Sequence, residues 1–122
     1  MRVSNPPQNG RHTTYFSDGK VASVVQYKNG KKHGLCKAYL RTGELRAIGK
    51  FANGKFTGLW KWYRVEGGYL QVGKFVDGLQ DGVWKRYYRS NKILDVDTWQ
   101  KGKRVVQFNI VTWNFGSSFF FC

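Results

Sequence analysis

Short runs of alternating apolar and polar residues, separated by glycine-containing turns, make up most of this chain. The runs "ELRAIGKF" (44–51) and "GLWKWY" (58–63) flank Asn53 and Gly54, and "GYLQVGKF" (68–75) follows. Asn-Gly or Asp-Gly between aromatic and β-branched residues is a strong hairpin signal, because both residues tolerate positive φ. No window of helical length carries an apolar stripe at a 3.6-residue period. The pattern predicts an all-β chain, a continuous antiparallel meander of about eight to ten strands.

This pattern repeats with a period of 24 residues. The segments "YKNGKKHGLCKAY" (27–39), "FANGKFTGLWKWY" (51–63) and "FVDGLQDGVWKRY" (75–87) share the pattern aromatic-x-Asn/Asp-Gly-x-x-x-Gly-x-x-Lys-x-Tyr without a gap. Fixed periods of 20–50 residues are typical of repeat proteins, in which each unit packs on its neighbours and the end units are atypical.

The period divides the chain into three segments. Residues 1–9 form an N-terminal extension, and residues 10–110 form β-hairpin repeats whose copies start near residues 27, 51 and 75, with degenerate ends. Residues 111–122 form an aromatic cap or tail. The tail is expected to cover an open sheet edge, or to anchor a partner through its aromatic cluster, formed by Phe119, Phe120 and Phe121.

The repeat unit resembles a MORN repeat (membrane occupation and recognition nexus) over residues 10–104. It is closer to the variant of small bacterial proteins that are labelled MORN-like antitoxins. The resemblance implies an elongated, twisted single sheet of hairpins. It also implies docking, lipid association or antitoxin activity. The chain departs from the pattern at His12 and Cys36, which take the position that Trp60 and Trp84 hold in other copies.

The charge of the chain is strongly positive. The chain contains 21 Lys and Arg residues and seven acids, which gives a net charge of +14. Small soluble domains usually carry a net charge of about 2–8 in magnitude. Lysines that protect sheet edges explain part of this excess. The remainder predicts a polyanionic partner, which is a nucleic acid, an anionic membrane or an acidic protein face.

A lysine and a tyrosine recur together in each clean copy, as Lys37 with Tyr39, and as the corresponding residues 24 and 48 positions later. Period-2 alternation places each pair on one face of the sheet, with successive lysines two strands, or roughly 10 Å, apart. Single-stranded nucleic acid is bound by such surfaces, where charge meets the backbone and rings stack on bases. Alternatively, the tyrosines pack across strands and the lysines only lie over them.

Two further clusters add positive charge near aromatic residues, at "NGKKHG" (29–34) and "WKRYYRSNK" (84–92). The predicted partner-binding or nucleic-acid-binding residues are therefore Lys31, Lys32, Lys37, Tyr39, Lys61, Tyr63, Lys85, Arg86, Tyr87, Arg89 and Lys92.

Catalytic chemistry is not predicted. His12 and His33 are the only histidines, and neither neighbours a nucleophile with an acidic partner. Cysteine and histidine pairs at metal-ligand spacing are absent from the sequence, so we expect no metal and no cofactor. Asp95 and Asp97 share a strand face, and we expect them to cap an edge or to pair with Arg89 and Lys92.

A cytoplasmic location is expected. The segment "MRVSNPPQNG" lacks the apolar region of a secretory signal, and no apolar run approaches the ~18 residues of a spanning helix. Cys36, in a tryptophan position, is expected to be a small buried residue rather than half of a disulfide.

The sequence thus predicts a non-catalytic binding protein that docks on a protein or a protein–RNA complex and takes no small-molecule substrate. Direct RNA contact is one option, and the oligomeric state stays open. The size and the family resemblance lead us to expect an inhibitor, either antitoxin-like or a phage-type inhibitor of an RNA-guided or other nuclease defence system. The alternatives are a peripheral module that binds anionic membrane lipid and a purely structural repeat scaffold.

Overall fold

A computed structural model of the chain describes residues 5–105. These residues form one antiparallel sheet in which every strand pairs with its neighbours in sequence, in the order β1 to β9. The strands are β1 (Gly10–Tyr15), β2 (Val21–Lys28), β3 (Lys31–Tyr39), β4 (Leu45–Ala52), β5 (Lys55–Tyr63), β6 (Tyr69–Val76), β7 (Leu79–Tyr87), β8 (Ile93–Gln100) and β9 (Lys103–Arg104). The predicted all-β antiparallel meander is confirmed.

The turns that join β2–β3, β4–β5 and β6–β7 lie at the predicted positions, near residues 30, 54 and 78. Asn53 and Gly54 both adopt positive φ, 51° and 82°, as a two-residue hairpin turn requires. The Gly54 N–H donates to the Lys32 carbonyl at 2.8 Å, and the Gly78 N–H donates in the same way to Phe56 at 2.9 Å. Each turn is thereby hydrogen-bonded to the repeat before it.

One face of the sheet, which we call the aromatic face, carries the core. The Trp60 indole lies over Gly49 and the Trp84 indole lies over Gly73, where bulges interrupt the β4–β5 and β6–β7 pairing, and both indoles are buried. A Cβ atom on Gly49 would lie 2.0 Å from the Trp60 ring, so the indole occupies the space that a side chain would fill. The Trp62 ring lies between the other two, with centroids 5.7 Å from Trp60 and 5.9 Å from Trp84.

Cys36 lies in the same row of the aromatic face and is fully buried, as expected. Its sulfur is disulfide-bonded, so the expectation that it does not form half of a disulfide is wrong. The second cysteine of the chain, Cys122, lies outside the described residues. The cysteine argument for a cytoplasmic location therefore does not hold.

The predicted bounds of the three segments stay a prediction. The first strand begins at Gly10, where the repeats are predicted to start. The predicted end of the repeats at residue 110 and the tail 111–122, with Phe119, Phe120 and Phe121, lie outside the described residues.

Candidate binding surface

The face opposite the aromatic face carries the predicted lysines, and we call it the lysine face. Lys37 pairs with Ile48, which pairs with Lys61 on the next strand. Directly paired residues of antiparallel strands point to the same face, so the pairing continues as one row across the sheet. The row runs from β2 to β8 through Val24, Lys37, Ile48, Lys61, Val72, Lys85 and Val96.

A second row lies two residues away along the strands, and its order is reversed. Leu35, Leu59 and Val83 stand in this row on the strands that carry lysines in the first row. Leu59 is 55% exposed and Val83 is 52% exposed. Exposed Lys50 and Lys74 lie on the strands between them, opposite Leu35 and Leu59. The two rows form a checkerboard of ammonium groups and aliphatic side chains.

An open depression of about 360 Å³ lies within this checkerboard. Leu35, Ile48 and Leu59 supply its apolar lining, and Lys50 and Lys61 stand at its sides. Aliphatic groups that remain exposed beside a depression are typical of sites where a partner inserts an apolar side chain.

The lysine face is almost unopposed in charge. Asp81 pairs across the strands with Lys74 at 3.4 Å, at the turn end of the face. The other six acids of the chain lie in turns and loops or on the aromatic face. Neighbouring lysines therefore add their potentials over a surface that contains a single acid among the described residues.

The predicted tyrosines also lie on the lysine face, but their rings contact each other. Tyr63 and Tyr69 stack with centroids 5.3 Å apart, and Tyr69 contacts Tyr87 at 5.4 Å. Burial, and then the neighbouring Tyr69, raises the pKa of Tyr63. Tyr39 pairs with Leu45, which occupies the position that Tyr69 holds in the next copy. Cross-strand packing thus occupies the ring faces that base stacking would use.

Arg86 does not contribute to the lysine face. It lies on the opposite side of the sheet from Lys85, and its Nε is 3.1 Å from both carboxylate oxygens of Asp95. Asp97 lies 3.9 Å from Arg104. The expectation that Asp95 and Asp97 pair with Arg89 and Lys92 is therefore wrong, since each pairs with another arginine on the aromatic side.

The remaining predicted residues are separated by the fold. Lys31 is exposed at the start of β3, while Lys32 lies over the Phe51 ring at 5.1 Å, where burial lowers its pKa. Arg89 lies in the connection after β7, 3.4 Å from Glu66, and exposed Lys92 lies in the same connection. None of these four side chains belongs to the two rows of the checkerboard.

The histidines serve the scaffold. His33 Nδ1 accepts a hydrogen bond from the Asn53 N–H at 3.2 Å and so holds the next turn. His12 is nearly buried, with its ring edge-on to Tyr27.

Across residues 5–105 no group of His, Cys, Asp and Glu is arranged to hold a metal ion. Within the same residues no helix is long and apolar enough to span a membrane.

Sequence reasoning did not find the aliphatic half of the checkerboard. Its signal was present, because Leu35, Leu59 and Val83 recur with the same period two residues before the lysines. Apolar residues are usually assigned to a core, although each of these directly precedes the tryptophan position, so alternation already places them on the opposite face.

Comparison with known families supports the repeat. The family model described as the MORN repeat variant matches residues 8–29 and 80–101. The two matches start 72 residues apart (80 − 8), which is three periods of 24, so they lie at the same phase of the repeat. A comparison with curated proteins finds no match. The matches, the period and the meander together support a MORN-like repeat protein with a binding or scaffold role.

Proposed function

We propose that this protein is a non-catalytic binding protein whose lysine face docks on an acidic surface of a partner protein or protein–RNA complex. The observation that carries the proposal is the row in which Lys37, Lys61 and Lys85 share one face, separated by aliphatic residues. A purely structural scaffold needs lysines on its surface to stay soluble. It does not need them at one register position with almost no acid beside them.

A protein surface fits this face better than a nucleic acid alone. The exposed Leu59 and Val83 between the lysines would gain nothing from phosphate groups, whereas an acidic protein surface supplies both carboxylates and apolar groups. The charge would also speed association by steering the partner before contact.

We further propose that docking inhibits the partner, as in antitoxin-like proteins or phage-type inhibitors of RNA-guided or other nuclease defence systems. The small size of the chain and the MORN-like repeats support this step. The proposed site of action is the cytoplasm, where such partners are found.

The test is capture of partners from the host by the tagged full chain, with and without RNase, followed by binding measurements with the purified partner. The triple variant Lys37→Glu, Lys61→Glu, Lys85→Glu should lose the partner. The matched control Lys20→Glu, Arg41→Glu, Lys101→Glu makes the same change of charge in connections between strands and should retain it. Equal losses in both triples would reduce the binding to net charge and contradict a defined face.

Direct RNA contact is tested by a salt titration. If single-stranded RNA neutralises about five phosphates on the lysine face, log K should fall with log salt at a slope of about −3.5. A partner whose capture survives RNase and whose affinity shows a much shallower slope supports protein docking.

An anionic membrane is the second candidate, because lysines interleaved with exposed aliphatic residues also suit a lipid surface. Sedimentation with vesicles of phosphatidylcholine alone and with phosphatidylserine added separates the two. Binding to phosphatidylserine-containing vesicles that is lost in the Lys37, Lys61 and Lys85 triple variant, together with no protein captured, would favour the membrane role.

A further inference from the structure

We infer that the segment which occupies the lysine face is an acidic amphipathic helix of the partner, lying across the strands. This inference rests on the proposed function, because it names the partner structure that the same face would receive. It follows from the spacing and alternation of the two rows rather than from their charge alone.

The spacing of residues along a row of the checkerboard matches the rise of a helix. Neighbouring strands lie about 4.8 Å apart, and one helical turn rises 5.4 Å, so each turn of a crossing helix meets one strand. Over the five steps from β3 to β8 the difference accumulates to about 3 Å, which a lysine side chain can span. In an extended segment, residues on one side recur about every 6.7 Å and fall out of step with the strands at once.

Lysines and aliphatic residues alternate along each row. Lysines occupy alternate strands in the first row, with Ile48 and Val72 between them. A matching helix therefore presents an acid on every second turn, which is every seventh residue, and an apolar residue on the turn between. The row of Leu35, Leu59 and Val83 reverses this order, so the adjacent stripe of the helix carries apolar residues beside the acids.

The depression on the lysine face offers an anchor position. The depression lined by Leu35, Ile48 and Leu59 lies beside Lys61. A leucine of the helix can enter this depression while a neighbouring carboxylate reaches Lys61. An apolar anchor surrounded by charge pairs is the usual arrangement of an interface hot spot.

Nucleic acid does not satisfy this arrangement. Phosphates would pair with the lysines but would leave Leu35, Leu59 and Val83 without an apolar partner. The stacked rings of Tyr63, Tyr69 and Tyr87 leave little ring surface for bases. The alternation therefore favours a peptide helix.

The probe is a stapled peptide of about 21 residues, three heptads, with Glu at every seventh position and Leu on the turn between. Its control is a peptide of the same composition and staple in which the Glu residues are adjacent. Fluorescence anisotropy with the full-length protein should give an affinity for the patterned peptide at least about tenfold higher than for the control, the difference expected of one buried anchor. Equal affinities would overturn the inference.

Two variants test the anchor and the pairing. Leu59→Ser should weaken binding of the patterned peptide by about tenfold. Val65→Ser, which alters a 70% exposed valine in a loop, should leave this affinity unchanged. Lys61→Glu should weaken binding, and a peptide with Lys in place of its central Glu should recover it. Absence of this recovery would contradict the proposed pairing.

A final pair of measurements tests the helix and separates the inference from the proposed function. An unstapled patterned peptide with a central proline should lose binding, because proline breaks a helix; retained binding would overturn the helical geometry. If the natural partner is lost in the lysine triple while patterned and control peptides bind equally, the binding role holds and the helix inference fails. Tighter binding of an RNA oligonucleotide than of the patterned peptide would likewise overturn it.

Discussion

The two faces of this sheet are built from the same strands and the same 24-residue period, yet they differ in almost every physical property. Trp60 on the aromatic face is 0% exposed, and Leu59, the residue before it, is 55% exposed on the lysine face. The aromatic face is filled by indoles over glycines, and the lysine face leaves aliphatic side chains in water. Stability and the proposed binding therefore depend on alternate residues, so neighbouring substitutions should have different effects.

The largest expected effect comes from that neighbouring pair. Trp60→Ala removes a buried indole and the Nε1 hydrogen bond to the Lys50 carbonyl at 3.0 Å, and should lower the free energy of unfolding by about 3–5 kcal/mol. Leu59→Ala should change it by less than about 0.5 kcal/mol. Urea unfolding of both variants measures the difference. Similar losses would mean that the lysine face also carries core packing.

The next effect tests the fit of indole to glycine. Gly49→Ala places a methyl group within the Trp60 ring and should cost about 1–3 kcal/mol or more. In a Trp60→Ala background the same change should cost much less, because the obstructing ring is gone. A double-mutant cycle by urea unfolding measures this coupling, and additive costs would contradict it.

The tyrosine stack should contribute stability rather than base contacts. Tyr69→Ala removes the ring that contacts both Tyr63 and Tyr87 and should lower stability by about 1–2 kcal/mol. Tyr88→Ala, at a 53% exposed ring, is the control and should cost less than about 0.5 kcal/mol. A thermal melt shows the result. An unchanged melting temperature for Tyr69→Ala, with RNA affinity lost, would return the rings to nucleic-acid binding.

The lysines of the first row should matter less to stability than the tyrosine stack. Reversing Lys37, Lys61 and Lys85 together should change the free energy of unfolding by about 1 kcal/mol or less, because their stems are half-buried but their charges remain in water. Circular dichroism should keep its β signature throughout. Unfolding of the triple variant would show that this face is structural, and the loss of partner would then carry no meaning.

The smallest effect concerns the charged end of the aromatic face. Burial raises the pKa of Asp97, against the opposing effect of Arg104. An acid with a raised folded pKa stabilises the fold while it is protonated, and this contribution is lost as the pH rises through that folded value. Asp97→Asn should therefore gain stability relative to wild type as the pH increases from about 3 to 6. Chemical unfolding at several pH values tests this, and a difference that falls with pH would contradict it.

Much of the fold was predictable because its signals are local. Asn53 and Gly54 specify a turn through their tolerance of positive φ, and identical spacing between turns fixes equal strands. The shared face of Lys37, Lys61 and Lys85 followed from alternation alone. Such features depend on residues near one another in sequence.

Features that depend on pairing between strands were less predictable. Arg86 looked like part of the basic cluster, and only the register places Asp95 opposite it. The tyrosine stack likewise depends on Tyr69, which lies outside the motif, pairs with Tyr63 and contacts the ring of Tyr87, 18 residues later. Alternation assigns residues to faces, but partners come from the register, which bulges such as that between Ile48 and Lys50 shift.

The connection of each strand only to its sequence neighbours has a consequence for how such a protein can change over time. Gain or loss of one 24-residue unit would add or remove two strands, one recurring indole position and one lysine in each row of the checkerboard, and would leave every other register as it is. The proposed docking surface would lengthen or shorten by about 10 Å per unit. Duplication of a short stretch of the gene thus changes the length of this surface and the number of lysines on it, without a new fold or a new site having to arise.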